Sequence, residues 1–288
     1  MSDRFEIIVP IVTPYAAGGG VDTAALAAHA AVLAEAGVDG FFVCGTTGEG
    51  PLLTEDEVVQ ATRAVAGAVD GPRVIPQAGR PSTEASRALV ERVIDAGADA
   101  VAVVTPYFYT LTPEAAVDHY RRVLEVSGDV PLYAYAIPAY ARNDLPPDVV
   151  ATLAGAGLAG IKDSTKSLDR HRAYVAIRAT APGGRFDTFV GDDALTLAAL
   201  QMGSTGSVPA LGNVRPDLFR DLVEAAARGD AEHAAAVQDE IVRVRDAMRG
   251  EGIASLKQAV SELMRTHGVD YGAGVRGPLP RHRTEPGE

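Results

Sequence analysis

The chain has no tryptophan and one cysteine, Cys44, in 288 residues. A lone thiol closes no internal disulfide, so a disulfide-stapled scaffold is excluded and nothing points to an oxidising compartment. Lysine is almost as scarce: of 26 Lys and Arg residues, only Lys162, Lys166 and Lys257 are lysine. Positive charge as a whole is in deficit, with a net charge of −12. Nucleic acids and anionic membranes bind basic surfaces, so neither is expected as a partner. There is no run of about 18 apolar residues to span a bilayer. The N-terminus, "MSDRFEIIVP", lacks the basic-then-apolar order of a signal peptide. These absences lead to the expectation of a cytoplasmic protein. Hydrophobic content of 47% and charged content of 22% are ordinary globular values.

What is present is an alternation. Short apolar runs, "EIIVPIV", "GFFVCG", "RVIPQAG", "AVAVVTP", "LYAYAIP", "LAGIKD", "TFVGDD" and "TGSVPA", are separated by longer amphipathic, Ala-rich segments. Thr54 with Glu57 three residues on has the form of a capping box. Thr83, Thr112 and Ser167 are further cap candidates, and Gly37, Gly97 and Gly128 mark helix ends. Eight such pairs predict an α/β fold, a (β/α)8 barrel of the TIM type over residues 1–228. Runs apolar throughout, rather than alternating, fit strands buried on both faces. A doubly wound dinucleotide fold needs GxGxxG after its first strand, and "TPYAAGGG" does not supply it. Residues 229–288 read as added C-terminal helices and a tail.

Barrel enzymes carry their chemistry at the C-terminal ends of the strands. There the sequence places "CGTTGEG", "TPYFY", "YAYAIPAY", "GIKDS", "GDD" and "GSVPA". Lys162 ends an interior strand. Lost hydration lowers a lysine's pKa and leaves neutral amine, which attacks ketones to form a Schiff base. The bland alternatives are a snorkelling lysine or an ion pair with Asp163 or Asp192. Tyr133 and Tyr135 share one face of their strand, and a phenol near the amine can relay protons, although packing is the commoner role of a strand tyrosine. The amides and hydroxyls of Thr46 and Thr47 can bind a carboxylate, or form an ordinary βα turn. The six histidines are scattered and read as packing or surface residues, Cys44 as a buried inert thiol, and Lys166 as a solvated charge. No metal-ligand spacing occurs and no cofactor is expected.

Taken in order, "GTTGEGPLLTEDE", "TPYFY", "YAIPAY", "GIKDS" and "GDDA" resemble the dihydrodipicolinate synthase / N-acetylneuraminate lyase family of pyruvate-dependent class I aldolases. The resemblance runs from "IVPIVTPY" to the tail. It implies a homotetramer, a dimer of dimers, using pyruvate and an aldehyde. It implies a Schiff base on Lys162, proton transfer by Tyr135 and Thr46, and binding of the pyruvate carboxylate by Thr46 and Thr47, with Gly48 among the substrate-binding residues. Tyr107, Tyr140, Gly191 and Val208 would line the site. Three positions depart from the family pattern. Ala136 stands where Asn is usual, Tyr140 where the synthase has a carboxylate-binding Arg, and Phe108 where many members have a relay Tyr. Tyr cannot replace a guanidinium clamp, and sialic acid lyases usually carry Ser at Thr46. The sequence looks most similar to the branch cleaving 2-keto-3-deoxy sugar acids. The synthase, a keto-deoxy sugar acid dehydratase, N-acetylneuraminate lyase and a non-catalytic 2-oxo-acid-binding barrel are the alternatives.

Overall fold

The computed structural model describes residues 5–248, 250 and 252–280. Eight parallel strands alternate with helices along the chain. The first half runs β1 (Glu6–Val9), α1 (Thr23–Glu35), β2 (Gly40–Val43), α2 (Glu55–Ala66), β3 (Arg73–Pro76), α3 (Thr83–Asp95), β4 (Val101–Val104), α4 (Pro113–Ser127) and β5 (Leu132–Ala136). A short α5 (Pro138–Ala141) precedes α6 (Pro147–Gly155), β6 (Gly160–Asp163), α7 (Leu168–Ile177), β7 (Asp187–Val190), α8 (Thr196–Gln201), β8 (Gly206–Ser207) and α9 (Pro216–Ala227). Two more helices follow, α10 (Ala231–Ala247) and α11 (Ile253–Thr266). The strand order is β3-β2-β1-β8-β7-β6-β5-β4, and a bridge between Gln77 and Ala102 joins the two ends. This is the expected (β/α)8 barrel with C-terminal helices.

Side chains alternate across each strand, and here both faces are covered. Ile7, Val9, Phe41, Val43 and Ile161 face the surrounding helices, while Ile8, Phe42, Tyr133, Tyr135 and Phe189 fill the barrel. The same alternation sends Asp163 outward to α7, where its Oδ2 lies 3.0 Å from Nδ1 of the buried His171. The capping box at Thr54 is present, and Thr112 and Ser167 cap as expected. The third helix is capped one residue earlier than expected. Ser82 accepts the Ala85 amide, and Thr83, already helical, bonds His119 Nδ1 instead. At the N-terminal end of the barrel Arg73 pairs with Glu6 and donates to Tyr133 at 3.1 Å, and Tyr133 donates to Asp187. No helix among the described residues is long and apolar enough to cross a membrane.

Candidate active site

Lys162 lies on β6 with its neighbour Tyr135 directly across on β5. It is 5% exposed. Its Nζ sits 3.6 Å from the Phe42 ring centroid and 4.2 Å from that of Tyr135. No hydrogen bond or ion pair is made to this amine among the described residues. Asp163 is committed to His171, and Asp192 to Arg245 at 3.1 Å, so neither serves as its counter-ion. Burial with no compensating anion pushes the Lys162 pKa down to about 7. A large neutral fraction therefore exists near pH 7. The side chain shares a small apolar cavity with Ile8, Phe42, Ile75, Tyr133, Phe189 and Val208.

The Tyr135 hydroxyl and Thr46 Oγ1 share a hydrogen bond of 3.1 Å. Burial raises the phenol's pKa, and bonds from Thr46 and Ser164 oppose the rise. A side chain at Gly45 would strike the Phe42 ring and reach within 4.0 Å of the amine, so only glycine lets the loop backbone come this close. The Gly48 carbonyl accepts from Thr13 Oγ1 at 2.7 Å, and a side chain at Gly191 would collide with Ser164 Oγ. Cys44 is fully buried and its thiol is pushed up to about 12, an inert state.

Above this layer lies a cavity of about 300 Å³. Thr46, Thr47, Tyr140, Lys166, Gly191 and Asp192 line it from the barrel, and Arg245, Met248, Ile253 and Leu256 from the C-terminal helices. Thr46, Thr47, Tyr140 and Gly191 thus converge on the mouth, with Lys162, Tyr135 and Val208 beneath. Tyr107 packs beside the interior cluster and does not line the mouth. Phe108 and Tyr109, 76% and 73% exposed, stack edge to face and do not line it. Arg142 is exposed and also lies outside the lining.

Two holding elements have no signature in the motifs. Glu49 is buried with φ +58, and its Oε1 takes an ion pair from Lys257 Nζ of α11 at 2.8 Å, both side chains fully buried. Its other oxygen accepts the Arg276 amide at 2.8 Å. Lys257 and Arg276 both stack on the Tyr15 ring, at 4.2 and 4.6 Å. The Thr46–Glu49 loop is therefore anchored by the C-terminal extension. The one sequence signal was a charge on the apolar face of α11, where Lys257 stands between Ala254 and Val260. Asn143 does the same for the β4 loop. Its amide nitrogen donates to the Pro106 and Tyr109 carbonyls at 2.6 and 2.7 Å, and its oxygen accepts the Leu111 amide at 2.9 Å.

Among the described residues no group of three or more His, Cys, Asp or Glu is placed to hold a metal ion. A barrel with an interior amine facing a phenol and a hydroxyl-lined mouth is a scaffold for carbonyl chemistry on small molecules. Comparison with known proteins gives the family. Residues 4–286 match the dihydrodipicolinate synthetase family. An uncharacterised DapA-like lyase of Halobacterium salinarum is 38% identical over 283 residues, covering 95% of this chain and 87% of that protein. The 2-keto-3-deoxygluconate aldolase of Sulfolobus solfataricus superposes with TM-score 0.87 at 25% identity, over 97% of this chain and 92% of that one. YagE, an E. coli prophage protein solved with pyruvate, superposes with TM-score 0.87 at 26% identity, over 96% and 93%. The chain belongs to the dihydrodipicolinate synthetase family, whose members are lyases and aldolases.

Proposed function

We propose that this protein is a Schiff-base aldolase that cleaves and forms 2-keto-3-deoxy sugar acids, with pyruvate as product or donor. The observation that carries the reading is the buried, partnerless amine of Lys162 beside the Tyr135–Thr46 hydrogen bond. The neutral amine attacks the C2 carbonyl of the keto acid, and loss of water leaves an iminium whose positive nitrogen draws electrons from C3. Tyr135 gives its phenol proton to the hydroxyl that leaves as the iminium forms, and the resulting phenolate takes the proton of the C4 hydroxyl as the C3–C4 bond breaks. The aldehyde departs and an enamine remains on Lys162. Protonation at C3 and hydrolysis release pyruvate and restore the amine. Thr46 passes protons between Tyr135 and the mouth, and Thr47 with the loop amides holds the carboxylate.

The substrate assignment rests on the mouth. The hydroxyls of Thr46, Thr47 and Tyr140 and the Lys166 amine face a mouth of about 300 Å³, which suits a hydroxylated chain. Tyr140, 73% exposed, stands where a synthase has its carboxylate-binding Arg, and the guanidinium that does line the mouth, Arg245, is paired with Asp192 and Asp246. The relatives include both the Sulfolobus aldolase and synthases, among them a 4-hydroxy-tetrahydrodipicolinate synthase of Methanothermobacter thermautotrophicus at 36% identity, so the assignment rests on the mouth. The test is a panel of 2-keto-3-deoxygluconate, N-acetylneuraminate, and pyruvate with aspartate semialdehyde. Cleavage of the keto-deoxy acid with release of pyruvate is expected, whereas efficient condensation of aspartate semialdehyde would make the protein a synthase. The implied homotetramer would cover the exposed Phe108–Tyr109 pair, and light scattering tests it.

A further inference from the structure

Every described non-glycine residue with positive φ lies in a loop at the C-terminal end of the strands: Cys44, Glu49, Phe108, Arg142 and Lys166. Backbone strain of this kind gathers at functional sites. Cys44 and Glu49 shape the threonine loop, and Phe108 and Arg142 flank residues held by Asn143. Lys166, at φ +61, occupies a conformation that glycine adopts freely and L side chains resist.

Lys166 also lines the mouth together with Thr47, Tyr140 and Gly191. The other charges around it are committed. Asp192 accepts from Arg245 and from the Ala194 amide, and Arg245 also pairs with Asp246. The two oxygens of Asp193 accept the amides of Ala210 and Leu211 at 2.9 and 3.1 Å. Asp163, the last residue of β6, pairs with His171. Lys166 is left with no partner among the described residues. With a keto acid on Lys162 and its carboxylate at Thr46 and Thr47, the remaining space towards Lys166 holds the other half of the substrate.

We propose that Lys166 binds an anionic group, a carboxylate or a phosphate ester, at the far end of that second half. The proposal rests on the aldolase reading and adds to it a preference for hydroxylated aldehydes that carry an acid remote from the reacting carbonyl. Lysine acts here as a point charge on a flexible stem, which tolerates either anion, unlike the fixed fork of an arginine.

The test compares kcat/KM for pyruvate condensation with three aldehydes of one backbone. Glyceraldehyde is neutral, 2-hydroxy-3-oxopropanoate carries a terminal carboxylate, and glyceraldehyde 3-phosphate carries a phosphate ester. The wild type is expected to favour at least one acid by about tenfold, the effect of one partly solvated charge pair. That ratio is expected to shrink as salt rises, and the larger ratio names the anion. Lys166→Met is expected to bring the ratios towards one. Lys166→Gly is expected to do the same while melting at a higher temperature, because it relieves the backbone, so a folding defect cannot mimic the result. A wild-type ratio near one, or a preference that survives in both variants, would overturn the proposal. Borohydride trapping of the wild type with pyruvate runs alongside. An adduct without charge preference removes the Lys166 assignment alone, and no adduct removes the aldolase reading with it.

Discussion

Lys162→Met should make this protein more stable and inactive. The substitution keeps an unbranched side chain in the apolar cavity of Phe42, Phe189 and Val208 and removes the amine. A fall of the lysine pKa from 10.5 to about 7, at about 1.4 kcal/mol per unit, amounts to about 5 kcal/mol of penalty on the charged form. Relaxation around the site reduces this, and a gain of about 2–4 kcal/mol near pH 7 is expected. The sign of the pH dependence is definite. Between the folded value near 7 and the unfolded value near 10.5, the native protein binds fewer protons at this site than the unfolded chain. Wild-type stability therefore gains a rising contribution with pH across that window, and below pH 7 the full penalty applies. Urea unfolding of both proteins at about pH 6 and about pH 9 measures this. The advantage of the variant should be larger at the lower pH. A variant no more stable than wild type at pH 6, or an advantage that does not shrink with pH, would refute the buried-amine argument.

Tyr135→Phe removes the phenol bonded to Thr46 and should lower kcat by about 10²–10⁴ while pyruvate is still trapped on Lys162; loss of trapping would place Tyr135 in amine activation instead. Lys257→Met strands the buried Glu49 carboxylate and should cost about 3–5 kcal/mol, with a raised KM for pyruvate because Glu49 adjoins the threonine loop. Adding Glu49→Gln should recover most of the stability, and a single-variant loss below about 1 kcal/mol would contradict the pair's role. Asn143→Asp faces a carboxylate oxygen towards the Pro106 and Tyr109 carbonyls and should cost about 1–3 kcal/mol. Hydrogen exchange should rise across residues 105–111, and an unchanged exchange pattern would sink this reading of Asn143.

The architecture and the inner layer of the site were legible in the sequence because both depend on local pattern. The apolar runs declared strands covered on two faces, and period-two alternation put Lys162 and Tyr135 on the inner one. Lysine is scarce in this chain, and the structure gives Asp163 and Asp192 to other partners and buries Lys162, which leaves it neither ion-paired nor snorkelling. What stayed hidden depends on chain closure over long separations. Glu49 and Lys257 are 208 residues apart, and no spacing rule connects them. The contribution of Arg245 and Leu256 to the mouth likewise needs α10 and α11 folded back over the barrel. Lys166 read as an ordinary exposed charge because its significance lies in a backbone angle and in the commitments of its neighbours. Ser82 took the cap expected of Thr83 because the Thr83 hydroxyl found His119 on α4.

The most direct test of the central claim is borohydride reduction in the presence of pyruvate, followed by peptide mass analysis. Only three lysines exist, so assignment is unambiguous. A gain equal to one reduced pyruvate on the peptide carrying Lys162, absent in Lys162→Ala, is the predicted result. No adduct, or an adduct carried by Lys166 or Lys257, would contradict it.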